Sequence, residues 1–144
     1  MSIHEQQLLK EKCYQEAIRY MDNAHENLAK AKKEGKFYHD PKYVRTACGT
    51  AYNGVLIALD CFLMLKGIEK PNKKQRKSIE FYQSNITKWD RKLLDYLNGT
   101  YQILHLSGYY DGIQSVAVIK EGFDLAYTII KKIQPAATAP APPS

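Results

Sequence analysis

From Val55 to Leu65 the chain reads Val-Leu-Ile-Ala-Leu-Asp-Cys-Phe-Leu-Met-Leu, eleven residues with Asp60 as the one polar side chain. A helix that is apolar almost all round has to be covered on more than one side. The run is therefore the central helix of a bundle, or part of it is a surface between subunits. By itself it is too short to span a bilayer.

The ends of this second helix are marked. Asp40-Pro41 supplies an N-cap carboxylate followed by proline at the first helical position, and Gly67 follows Lys66 as a terminator. Ahead of it, Leu9, Cys13, Ala17, Met21, Ala24, Leu28 and Ala31 recur at three- and four-residue steps. That stripe predicts a helix from about Ile3 to Glu34, closed by Lys30, Lys32 and Lys33 and stopped at Gly35.

After Pro71, helical periodicity resumes near Gln75 and runs through Ile79, Tyr82, Ile86, Trp89, Leu93, Leu97, Tyr101 and Leu104. A break near Ser84-Asn85 would split it into a short and a long helix, and Gly99 weakens its middle by roughly 1 kcal/mol relative to alanine. Ser107-Gly108-Tyr109-Tyr110-Asp111-Gly112 reads as a turn. A last helix follows Ser115, with Ile119, Phe123, Ala126, Tyr127, Ile130 and Ile133 on one face, and Pro135 ends it. No segment shows strand alternation. The expected fold is all-α, an up-and-down antiparallel four-helix bundle with room for a short fifth helix. One domain covers 1–134, and the Pro/Ala-rich 135–144 is expected to be a disordered tail.

The net charge is +6, and most of it sits in one place. Lys66, Lys70, Lys73, Lys74, Arg76 and Lys77 face only Glu69, a local +5 (six cations less one carboxylate). Lys73, Lys74, Arg76 and Lys77 are candidate polyanion contacts, with a solvated surface loop as the plainer reading. Cys13, Cys48 and Cys61 lack metal or redox spacing and read as buried free thiols in a reducing, cytoplasmic setting. The polar start Met1-Ser2-Ile3-His4 offers no export signal. His4, His25, His39 and His105 form no ligand pattern, and phosphate-loop and nucleophile-elbow motifs are absent, so no metal or cofactor is expected.

Arg45, Asn53 and Asp60 are the polar residues of the second helix, Asn53 and Asp60 on one face and Arg45 near it. They are expected to form a structural hydrogen-bond network, with a functional pocket as the alternative. Eleven tyrosines are many for a chain of 144 residues. Tyr109-Tyr110-Asp111 is the densest group, either a ligand or partner surface or a structural corner.

Two stretches together resemble the HEPN superfamily of helical bundles. Tyr43 to Leu56, leading to Leu65-Lys66-Gly67, is similar to that family's second helix, with an arginine, an Ala-Tyr pair and an apolar run ending in glycine. Leu104-His105-Leu106-Ser107-Gly108-Tyr109-Tyr110-Asp111-Gly112 resembles the segment that carries the family's Arg-x(4–6)-His motif, which acts on RNA, commonly at a dimer interface. Here His105 stands where the arginine would be, and Tyr109 or Tyr110 where the histidine would be. Without that cation and imidazole, acid–base cleavage of RNA lacks its main groups. Small bacterial bundles of this general look also exist. The expected class is a non-enzymatic, cytoplasmic protein acting by association, a homo-oligomer through helix two. The alternatives are an RNA-processing or toxin–antitoxin-related protein using His105, Tyr109, Tyr110 and Arg45, and nucleic-acid binding through Lys70–Lys77.

Overall fold

A computed structural model describes residues 1–68 and 78–136. The element order is α1 (Ile3–Lys30), β1 (Lys33–Glu34), β2 (Phe37–Tyr38), α2 (Pro41–Leu65), α3 (Ile79–Ile86), α4 (Arg91–Thr100), a π-helix (Tyr101–Tyr110), α5 (Val116–Ile130) and a 3-10 turn (Lys131–Ile133). The molecule is the all-α bundle that the periodicity predicts. The basic residues Lys73, Lys74, Arg76 and Lys77 and the Pro/Ala tail from 137 onward lie outside the described residues.

Neighbouring helices run antiparallel, and glycines let them approach closely. A Cβ on Gly54 of α2 would lie 3.3 Å from the Ala17 carbonyl oxygen of α1. On α5, a Cβ on Gly122 would meet Ile103 and Leu104 of the π-helix. Gly99 of α4 faces Leu125, and Asp90 at the start of α4 pairs with Lys132 of the 3-10 turn that follows α5, 3.2 Å apart. The core is filled by side chains from every helix, among them Met21, Leu59, Tyr82, Leu97, Leu104, Ile119 and Ile130.

Helix α2 is the central element. It packs against α1, α5, α3 and the π-helix, and Val55, Ala58, Leu59, Asp60, Cys61 and Leu63 are buried. The apolar run is thus covered largely within one chain. Taken whole, α2 is long and apolar enough to cross a bilayer by length and composition, but half of its most apolar window is buried inside the bundle. Its ends are as expected. Asp40 accepts from the Lys42 amide. At the other end Ile68 N–H donates to the Leu63 carbonyl and Gly67 N–H to that of Met64, with Gly67 at φ +81°. This is the Schellman arrangement, in which glycine takes the left-handed position without a Cβ penalty.

Several expectations are corrected. Helix α1 stops at Lys30, four residues early, because Lys32 takes the left-handed C′ position at φ +57°. Gly35 (φ +65°) instead opens the two-residue loop of a hairpin pairing Lys33 with Tyr38 and Glu34 with Phe37. Glycine at the first central position suits a type II′ turn. Two-residue strands are too short to show alternation, so nothing in the local residue pattern marks them. The hairpin is tied to the α5 entrance by Tyr38 N–H to Gln114 O (2.7 Å) and Val116 N–H to Lys36 O (3.0 Å). The third segment breaks at Thr87–Asp90, not at Ser84-Asn85, because Asp90 caps α4 by accepting from the Leu93 amide. Ser107 to Tyr110 is not a turn. The chain stays helical through Tyr110, and the stop falls at Gly112 (φ +65°), whose amide donates to the Gly108 carbonyl.

Three substitutions test these assignments. Lys32→Gly should stabilise the protein by about 1 kcal/mol, by relieving a left-handed lysine at the α1 terminus. Gly108→Ala should destabilise it by about 1–3 kcal/mol, since the new Cβ would lie 2.6 Å from Cys48 Cβ and closer still to its sulfur. Gly99→Ala, meeting only the mobile end of Leu125, should cost far less or be stabilising. Guanidinium denaturation of the three variants checks the order.

Candidate functional site

Tyr101, His105 and Tyr109 recur at four-residue steps along the π-helix. Residues four apart on a helix share a face, and here their rings pack in series. The centroids of Tyr101 and His105 are 5.2 Å apart, and those of His105 and Tyr109 are 6.0 Å apart, both pairs stacked. Tyr52 of α2 adds a fourth ring, stacked on His105 at 4.9 Å, and Tyr110 meets His105 edge-on at 5.1 Å. π-Helices are uncommon, and they concentrate at functional sites.

This segment lies against α2 because two glycines remove what would hold it off. Gly108 faces Cys48, and Gly49 leaves room for the Tyr109 ring, which a Cβ there would meet at 3.0 Å. Arg45 then fastens the end. Its Nη1 donates to the carbonyls of Tyr109 (3.4 Å) and Tyr110, and its Nη2 to that of Asp111 (3.3 Å). A guanidinium beside the carbonyl end of a helix meets both the lone pairs and the negative end of the dipole.

Between α2, the π-helix and the first turn of α3 lies a cavity of about 700 Å³. Tyr52, Tyr101, His105 and Tyr109 form the aromatic part of its wall. Thr46, Thr50, Asn53 and Ser78 add hydroxyls and an amide, and Glu80 adds a carboxylate. Burial lowers the pKa of His105 from its ordinary 6.5, so the imidazole is neutral at pH 7. Burial, reinforced by the neighbouring Tyr101, raises that of Tyr52, which stays a neutral phenol.

The four catalytic candidates therefore meet: His105, Tyr109 and Tyr110 form the ring cluster, and Arg45 holds the backbone beneath it. The expected network of Arg45, Asn53 and Asp60 is divided. Asn53 is exposed and lines the cavity, whereas Asp60 is buried near the other end of α2 and accepts from the Tyr82 hydroxyl at 2.8 Å. They share a face but not a height on the helix, and different neighbours cover the two heights. Burial, followed by the Asp60 carboxylate, raises the Tyr82 pKa. Tyr101, Tyr52 and Glu80 were not singled out by the sequence, although the four-residue spacing of Tyr101, His105 and Tyr109 was there to be read.

The other candidate groups lie apart. Cys48 and Cys61 are buried and Cys13 is half-buried; burial pushes the Cys48 thiol up to about 12. His25 Nε2 is 3.0 Å from the Tyr127 hydroxyl, and His39 Nδ1 is 3.2 Å from Glu34. Among the described residues no three His, Cys, Asp or Glu side chains gather as a metal site would require.

Fold and site together define a helical-bundle protein whose central helix and π-helix enclose an aromatic-walled cavity. The chain belongs to the family described as a domain of unknown function, DUF5618, whose profile matches residues 12–135. It is also similar, at 38% identity and a TM-score of 0.75, to the solved structure of a protein of unknown function from Dyadobacter fermentans. That match covers 86% of this chain and 94% of the other. No curated protein matches it.

Two outcomes follow from the site. Replacing Arg45 with methionine should cost about 1–2 kcal/mol, the range for a charged but exposed hydrogen-bond donor, and disturb the tyrosine near-UV circular dichroism. Lysine there should restore little, since a point donor cannot span three carbonyls. The second outcome concerns pH. Because the folded protein disfavours the His105 imidazolium, the unfolded chain takes up this proton first as pH falls. The contribution of His105 to stability is thus full above the ordinary histidine range and shrinks as pH drops through about 6.5. His105→Phe should flatten that part of the stability–pH curve, as followed by denaturation between pH 5 and pH 8.

Proposed function

We propose that this protein works by binding rather than by catalysis, through the cavity between α2, the π-helix and α3. The observation that carries the reading is the state of the groups around it. Arg45 is engaged with three backbone carbonyls, and His105 is packed against the rings of Tyr52, Tyr101 and Tyr109, with no second imidazole beside it among the described residues. An RNA-cleaving site needs a free cation at the phosphate and a proton-transferring pair. An aromatic wall with dispersed hydroxyls instead suits the reversible capture of a ligand that is part apolar and part polar. A HEPN-like relationship, in a form without the nuclease groups, is compatible with this proposal.

The test is a ligand screen by NMR on the intact protein. Compounds that bind should shift the ring resonances of Tyr52, Tyr101 and His105. Asn53→Trp, an exposed position at which a large side chain would fill the cavity, should abolish those shifts without lowering the melting temperature. Absence of any such shift across a chemically diverse set, or equal shifts in the variant, would contradict the reading.

Self-association is a second reading with its own support. Tyr109 and Tyr110 are 45% and 59% exposed, a large aromatic area beside the cavity mouth. A homodimer formed there would shield both. Size-exclusion chromatography with light scattering should show a dimer that Tyr110→Ser dissociates; a monomer at 100 μM would remove this reading.

A further inference from the structure

The charge around the cavity indicates what it holds. Four rings form its aromatic wall: Tyr52, Tyr101, His105 and Tyr109. Among the described residues, no lysine or arginine lines it, and Glu80 is the one carboxylate that does. Arg45, the nearby cation, is turned to the backbone at the end of the π-helix. A phosphate or carboxylate ligand would meet a carboxylate and electron-rich ring faces, with no described cation to balance it.

A positively charged organic group would meet the reverse. Tyrosine faces carry the negative part of the ring quadrupole and attract ammonium groups, most strongly when water is partly excluded. The rings are held in place rather than free to collapse. Tyr52 is 7% exposed and packed against both Tyr101 and His105, and Tyr109 rests on Gly49. The phenols and the neutral imidazole bring no positive charge of their own. Glu80, exposed in the first turn of α3, adds a carboxylate to the cavity lining.

Resting on the binding function proposed above, we infer that the cavity takes an organic cation, an alkylammonium or quaternary ammonium head seated among Tyr52, Tyr101 and Tyr109 with Glu80 as counter-charge. The remaining hydroxyls and the Asn53 amide are placed to meet polar atoms elsewhere on such a ligand.

The experiment compares three probes by NMR titration of the full chain: choline, its uncharged carbon isostere 3,3-dimethylbutan-1-ol, and adenosine monophosphate. Choline should shift the Tyr52 and Tyr101 ring signals and bind roughly tenfold more tightly than the isostere, the size of a partly desolvated cation–π contact. Glu80→Gln and Tyr101→Leu should each weaken choline several-fold, while Tyr101→Phe, which keeps the ring, should retain it. Comparable binding of choline and the isostere, or tighter binding of adenosine monophosphate, would overturn the cation assignment and leave the binding function standing. Failure of choline to shift these rings at 10 mM would overturn the assignment too, while the function is decided separately by the diverse screen and Asn53→Trp.

Discussion

At Gly108 the π-helix backbone comes so close to Cys48 of α2 that not even a methyl group fits between them. That contact sets the position of everything that follows in the chain. It brings the Tyr109 ring onto Gly49 and carries the carbonyls of Tyr109, Tyr110 and Asp111 to the Arg45 guanidinium. One face of α2 is thereby committed to the π-helix, and its other faces to α1 and α5. This wrapping buries Val55, Ala58, Leu59, Asp60, Cys61 and Leu63 of the apolar run and leaves Leu56, Ile57, Phe62, Met64 and Leu65 half-buried.

The same contact explains how a surface cavity is held open in a small bundle. Tyrosines on a mobile segment would fold onto one another and close the space. Here Tyr101, His105 and Tyr109 are carried by a helix pinned at its end, and Tyr52 is packed under them from the central helix. Burial of His105 lowers its pKa and so disfavours a positive charge on this ring of the wall. Rigidity and electrostatics therefore have one origin, the seating of the π-helix on α2.

Much of this architecture was legible in the residues. Asp40-Pro41 and Gly67 bound α2 as written, because capping is local chemistry that depends on a few adjacent side chains. The end of α1 was not legible. Lysine, not glycine, takes the left-handed position at residue 32, and Gly35 serves a hairpin formed with Gln114 and Val116, far along the chain. The stretch Ser107–Gly112 misled for a related reason. Serine and glycine usually break helices, but Gly108 is there for the clearance that Cys48 requires, and nothing near it in sequence says so. For the site, His105, Tyr109, Tyr110, Arg45 and Asn53 could be named in advance. Their division into ring wall, backbone clamp and cavity rim depends on the antiparallel register of α2 and the π-helix. The contribution of α3, through Ser78 and Glu80, depends on where α3 lies against α2, which periodicity does not encode.

The central claim is that ligand binding occurs against the rings held by the π-helix. Intermolecular nuclear Overhauser effects measure it directly, with a bound, unlabelled ligand and protein carrying labelled tyrosine and histidine. The account predicts cross-peaks from ligand protons to the rings of Tyr52, Tyr101 and His105. Cross-peaks confined to His25 of α1 and Tyr127 of α5, where those two helices meet, would contradict it.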